Sequence, residues 1–107
     1  MTITVANENN FNEIVLESEL PTLVVFSANW CGPCKSMAPM LEKVQEDYSS
    51  VINVIKIDID ASPGLTAKYA VRSIPTIMAF KDSQPFSTHI GNAARVSINL
   101  MVEELVQ

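Results

Sequence analysis

The chain has 107 residues, 48% of them hydrophobic and 18% charged, which predicts one domain over residues 1–107 with an ordinary core and excludes wholesale disorder. Two cysteines and one histidine are too few for a disulfide scaffold or for the four ligands of a structural zinc site. A formal net charge of −5 excludes a strong binder of nucleic acid or of an anionic membrane, because phosphate contact needs clustered Lys and Arg.

Met1–Asn10 has neither the basic start nor the apolar run of a secretory signal, and the first basic residue is Lys35. Glu8, Glu13, Glu17 and Glu19 do not fit an acid-poor transit peptide. No apolar run reaches the ~18–20 residues of a membrane span. The expectation is a soluble cytoplasmic chain, with a processed protein of an organelle stroma as the alternative.

Thr2–Val5 reads as a short strand. Asn9 or Asn10 can cap a helix with Glu13 as capping partner, and Phe11, Ile14 and Val15 recur at helical spacing. After Pro21, Leu23–Phe26 is continuously apolar, as in a strand buried on both faces. Cys34, Met37, Ala38, Leu41, Val44 and Tyr48 mark one face of a second helix, which Pro39 is expected to kink. The β-branched run Val51–Ile59 predicts a central strand. Ser62 followed by Pro63 reads as a cap and a first-turn proline, opening a short helix to about Tyr69. Thr76–Phe80 and Phe86–Ile90 flank the turn residues Lys81–Pro85, a predicted hairpin. Ile98, Met101, Val102 and Leu105 form the inner stripe of a C-terminal amphipathic helix.

The order β-α-β-α-β-α-β-β-α predicts an α/β fold. Its central sheet is mixed, with parallel pairs, a closing antiparallel hairpin and helices on both faces. Ligand sites in such sheets lie beyond the carboxyl ends of strands. Trp30-Cys31-Gly32-Pro33-Cys34 falls there, between the strand at Leu23–Phe26 and the second helix.

Cys31 is expected at the helix N-terminus and Cys34 one turn inside, so the two sulfurs share a face and can bond. Free backbone N–H groups and the helix dipole favour a Cys31 thiolate, the nucleophile of disulfide exchange, while Cys34 is shielded behind it. Cys31 then attacks a target disulfide and Cys34 resolves the mixed disulfide. Gly32 permits close approach of a partner chain, and Pro33 suits a helix start. Three other readings compete: half of a metal site, a structural staple, or accident. The first lacks its other ligands, and the second constrains too short a loop to stabilise much.

The segment Trp30-Cys31-Gly32-Pro33-Cys34-Lys35 resembles the active-site segment of the thioredoxin family. Pro39, Lys56, Asp60, Pro63-Gly64, Ile74-Pro75-Thr76 and Gly91 stand where that family has its kinking proline, central-strand lysine, following loop, cis-proline loop and late glycine. The resemblance covers essentially the whole chain. It implies the thioredoxin fold, a five-stranded mixed sheet flanked by four helices, and protein-disulfide reductase activity without a bound cofactor. It also implies electrons from a thioredoxin reductase, disulfide-bearing proteins as substrates, and a monomer. Ile74-Pro75 is expected to be cis and to face the cysteines. Trp30, Gly32, Pro33, Ile74, Pro75 and Gly91 are expected to form an apolar docking patch around Cys31.

The sequence departs from the family beneath the site. Val25 stands where a buried aspartate is usual, and Ser27 where a tryptophan is usual. That aspartate is assigned the role of accepting the Cys34 proton during resolution, which Val25 cannot do. Lys56 is left without its acidic neighbour, so it is expected to lose its proton readily or to reach water or a nearby acid. One reading makes Lys56 the proton acceptor for Cys34, directly or through water; the other leaves Val25 as packing and the proton to bulk water. Ser83 and Pro85 replace a glycine-containing turn, and Asn92 follows Gly91 where a small apolar residue is usual. His89 is expected to be a solvated strand residue. Gly32-Pro33 lacks the histidine that makes some relatives strong oxidants.

The leading functional expectation is therefore a dithiol reductant of protein disulfides. The alternatives are an oxidase or isomerase and a docking subunit with incidental thiols.

Overall fold

The apolar run at Leu23–Phe26 lies at the centre of the sheet. In a computed structural model, which describes residues 3–107, strand β2 (Thr22–Ser27) is buried along its whole length. The other strands are β1 (Thr4–Ala6), β3 (Asn53–Asp58), β4 (Thr76–Lys81) and β5 (Gln84–Ile90). They form one five-stranded sheet in the order β1-β3-β2-β4-β5. β1, β3 and β2 run parallel, whereas β4 is antiparallel to both β2 and β5. Helices α1 (Gly32–Asp47), α2 (Pro63–Lys68) and α3 (Arg95–Leu105) connect or follow the strands. This is the mixed α/β arrangement expected from the element order. Thr2, counted in the first expected strand, lies outside the described residues.

Strand pleating sorts the core into two layers. Leu23 and Val25 pack with Met37, Leu41 and Val44 of α1 and with Ile98, Val102 and Leu105 of α3. Val24 and Phe26 pack on the opposite face with Phe11, Val15 and Leu65. Ser27 continues the Leu23–Val25 series, and Lys56 the series of Val54 on β3, so both belong to the α1 face. Val25 stands between Lys56 on β3 and Ile77 on β4.

Several local expectations need correction. The first helix is a five-residue π-helical turn, Asn12–Leu16, whose N-cap position is Phe11, with no side-chain cap. The asparagines make their own turn instead: Asn7 Oδ1 accepts from Asn9 N at 2.8 Å, and Asn10 Oδ1 accepts from Asn7 N at 2.7 Å. The Phe11 ring packs against Tyr69 and Phe80, with centroids 5.6 and 5.7 Å away. Ser62 occupies the N-cap of α2, but its hydroxyl makes no cap bond. The Glu8 carboxylate caps α2 from across the chain, accepting from Gly64 N and, at 3.2 Å, from Leu65 N. Gln45 is buried on α1, bonded to Ile52 O at 3.2 Å and accepting from Val54 N at 2.6 Å, whereas Ala38 is exposed. The hairpin turn is the pair Asp82-Ser83, at φ 54° and 68°, and Pro85 lies in β5 beside a bulge. Positive φ at both central residues matches the twist of the flanking strands. As an edge-strand residue, Pro85 costs the ladder little by lacking an N–H.

Candidate functional site

Strand β2 ends at Ser27, and the chain turns through Asn29 and Trp30 to start α1. Cys31 is the N-cap residue, with extended backbone (φ −90°, ψ 109°), and Pro33 sits within the first two helical positions. A proline there loses no hydrogen bond, since the first helical N–H groups have no intrahelical partner. Cys31 and Cys34 are joined by a disulfide, with Cα atoms 5.3 Å apart. The Cys34 backbone N–H donates to Cys31 Sγ at 3.2 Å. The helix thus aims both its dipole and a free donor at the first sulfur. Cys34 is buried, as expected, and in this disulfide form Cys31 is buried too. Cys31 is 5% exposed and Cys34 9%, and both belong to one small buried cluster with Ala28. What distinguishes the cysteines is their position on the helix.

The surroundings of the disulfide combine apolar surface with fixed backbone. Trp30 is 68% exposed, and its Nε1 donates to Asp60 Oδ2 at 2.8 Å. Asp58 Oδ1 accepts from Asp60 N at 2.8 Å, which orders the loop that carries this acceptor. Gly32 and Pro33 are exposed. The Ile74-Pro75 peptide bond is cis, as the resemblance implied, and Ile74 packs against the Ala28–Cys31–Cys34 cluster. Pro75 is buried behind it, and its carbonyl accepts from Gly91 N at 2.8 Å. Gly91 has φ +89°, a conformation that a residue with Cβ adopts only under strain. Trp30, Gly32, Pro33 and Ile74 therefore border the disulfide, with Pro75 and Gly91 supporting Ile74. His89 is half-buried on β5, with Nε2 2.9 Å from Asn92 O.

Beneath the disulfide, on the α1 face, lies a cavity of about 250 Å³. It is lined by Cys34, Ala38, Leu41 and Glu42 of α1, Val25 and Ser27 of β2, Lys56 of β3, and Ile3 and Val5 beside them. An adjoining recess of about 170 Å³ shares Cys34, Ala38 and Lys56 and adds Ala28, Asn29 and Lys35. Lys56 is exposed, so of its two expected fates it has the second: it reaches water. Val25 is buried, and Ser27, 2% exposed, has a hydroxyl with no hydrogen-bond partner among the described residues. Glu42 was not singled out from the sequence. It lies eight residues after Cys34, a helical spacing that could have flagged it. Among the described residues no group of three or more His, Cys, Asp or Glu is placed to hold a metal ion. No helix among them is long and apolar enough to cross a membrane.

The thioredoxin family model matches residues 2–104 of the chain. Thioredoxin 1 of Synechococcus elongatus is 41% identical over 88 residues, 82% of either chain. A chloroplastic M-type thioredoxin of Chlamydomonas reinhardtii is 40% identical over 98 residues, 92% of this chain and 70% of its own. The thioredoxin of Porphyra purpurea is 35% identical over 106 residues, 99% of each. Because the matched region contains the strand, loop and helix that bring Cys31 and Cys34 together, the chain belongs to the thioredoxin family, and its chemistry is the exchange of its dithiol for the disulfides of other proteins.

Proposed function

We propose that Cys31 is the attacking thiol and Cys34 the resolving thiol of a protein-disulfide reductase formed by residues 1–107 as one domain. The Cys31 thiolate attacks one sulfur of a substrate disulfide and expels the other as a thiolate, forming a mixed disulfide. Cys34, deprotonated in turn, attacks Cys31 Sγ; the bond from Cys31 to substrate breaks, and the second substrate sulfur leaves with its electron pair. The substrate ends as two thiols and the protein as the Cys31–Cys34 disulfide. The observation that carries this assignment is the Cys34 N–H donated to Cys31 Sγ at 3.2 Å. A donor on that sulfur favours its anionic form, and only a thiolate is nucleophilic.

Trp30, Gly32, Pro33, Ile74, Pro75 and Gly91 form the docking surface for an extended substrate segment. Support comes from the exposure of Trp30 and the packing of Ile74 on the cysteines. The Ile74 backbone faces substrate for pairing by strand addition. Lys56 lines both recesses that Cys34 lines, and acts through water on the deprotonation of Cys34. The exchange uses two sulfurs and no bound cofactor, and electrons return through a thioredoxin reductase. The protein acts as a monomer in the cytoplasm or, like the relative named chloroplastic, in an organelle stroma.

The test is insulin reduction coupled to NADPH through a thioredoxin reductase. Native protein turns over, Cys31→Ser is inactive, and Cys34→Ser stops after one mixed disulfide. Sustained turnover by Cys34→Ser contradicts the assignment.

A further inference from the structure

A thiol cannot resolve a mixed disulfide until its proton has left, and Cys34 opens on a cavity whose β2 wall offers no acid: Val25 and Ser27 stand there. The acid comes from the other wall. Glu42 lies on the same helix as Cys34, eight residues on, and lines the same cavity. Two side-chain atoms of that cavity lining are buried without a hydrogen-bond partner among the described residues: Ser27 Oγ and Glu42 Oε1. Buried polar atoms of this kind are normally satisfied by ordered water when the site is roomy and polar enough. At ~30 Å³ per water, a cavity of about 250 Å³ has room for several. Eight residues of helix rise ~12 Å, and helical side chains lean toward the N-terminus, which brings the Glu42 carboxylate back toward Cys34 without contact.

We propose that this cavity is the proton exit of the resolving step, with Glu42 as the receiving carboxylate. The proposal rests on the assignment of Cys34 as resolving thiol. The Cys34 thiol gives its proton to a water held by Ser27 Oγ, and the water chain delivers it to Glu42. The Cys34 thiolate then attacks Cys31 Sγ, the bond from Cys31 to substrate breaks, and the substrate sulfur leaves with the electron pair. Glu42 returns the proton to bulk water past Lys56. Lys56 is the remaining charged group lining the cavity among the described residues, and Lys35 lines the adjoining recess. Near Cys34 the other contributors are apolar: Val25 from β2 and Ala38 from α1. Glu42 is thus a positioning residue that acts through water.

The steps separate with a dithiobis(nitrobenzoate) disulfide in stopped flow. The reduced protein releases one chromophoric thiol on Cys31 attack and a second on Cys34 resolution. Glu42→Gln is expected to leave the first phase unchanged and to slow the second ~10-fold or more, the scale of positioned proton transfer. Glu42→Asp keeps a carboxylate and restores most of the rate. Ser27→Ala slows the same phase. In native protein the second phase carries a carboxylate limb in its pH profile, which Glu42→Gln lacks; loss of packing alone does not produce that signature. A second phase in Glu42→Gln with native rate and pH profile overturns the proposal, as does equal slowing of both phases. Single-cysteine variants isolate the underlying assignment. A first phase kept by Cys34→Ser and lost from Cys31→Ser upholds it, and a native first phase in Cys31→Ser overturns both it and the proposal.

Discussion

Cys31 differs from Cys34 in what surrounds its sulfur, and the difference is built from backbone. The helix start directs the Cys34 N–H at Cys31 Sγ at 3.2 Å, an arrangement that, under the proposed roles, favours the first thiolate. Trp30 lies next to it in sequence, 68% exposed and held by Asp60 at 2.8 Å. A large apolar ring kept on the surface suits contact with a partner. Trp30→Ala should therefore raise KM for insulin ~10-fold, the scale of one interface aromatic, while reduction of a small disulfide changes little. Equal loss on both substrates would place Trp30 in the chemistry instead. At this scale the cysteine pair was legible because its meaning is local: three residues of spacing at a helix start. Glu42 was not singled out: its helical spacing from Cys34 is visible in the sequence, but the cavity that both line depends on how α1 lies across β2 and β3. Ser27 shares that difficulty, since nothing in a serine's neighbours in sequence says that its hydroxyl ends in a cavity wall.

The elements owe their ends to contacts from far along the chain. Glu8 accepts from the first N–H groups of α2, so the loop after β1 and this short helix hold each other. Glu8→Gln weakens the acceptor and should lower stability by ~0.5–1 kcal/mol, the scale of a helix cap, read from the midpoint of urea unfolding. The sequence pointed to Ser62 for this cap because capping rules see only near neighbours. The expected first helix is present but starts differently for a related reason, since Asn7 bonds to Asn9 and Asn10 and no asparagine caps the π-helical turn. Helices with a clear apolar stripe were legible: Ile98, Met101, Val102 and Leu105 are all buried on α3.

Between α1 and α3, Arg95 Nη2 lies 2.8 Å from Asp47 Oδ2. The Arg95 hydrogen bond holds the Asp47 carboxyl below its ordinary value of 3.8, with smaller help from Lys43 against some desolvation. A carboxylate favoured by folding adds stability above the unfolded value and gives it up as pH falls through the lowered folded value. Urea midpoints should thus fall as pH drops below 3.8, and less steeply in Asp47→Asn; the same slope in both would remove Asp47 from the acid response.

For the molecule as a whole, one sheet with two apolar faces does most of the positioning. The pleat of β2 sends Leu23 and Val25 to α1 and α3, and Val24 and Phe26 to the opposite layer. The same pleat puts Ser27 and Lys56 under α1, where Cys34 and Glu42 meet them around one cavity. The mixed sheet was legible from strands that alternate with helices and from the closing hairpin, whereas the order of the strands within it was not read from periodicity. The cavity was not legible, because it arises from what several elements leave unfilled together. The acidic composition and the two sulfurs leave little other reactive chemistry, so the proposed function stands on the ordered roles of Cys31 and Cys34. The most direct measurement is the intact mass of Cys34→Ser after reaction with an oxidised protein substrate, before and after addition of a reductant. With Cys31 as attacking thiol, a stoichiometric covalent adduct forms through Cys31 and the reductant releases it; absence of that adduct, or its formation in Cys31→Ser, rules that order out.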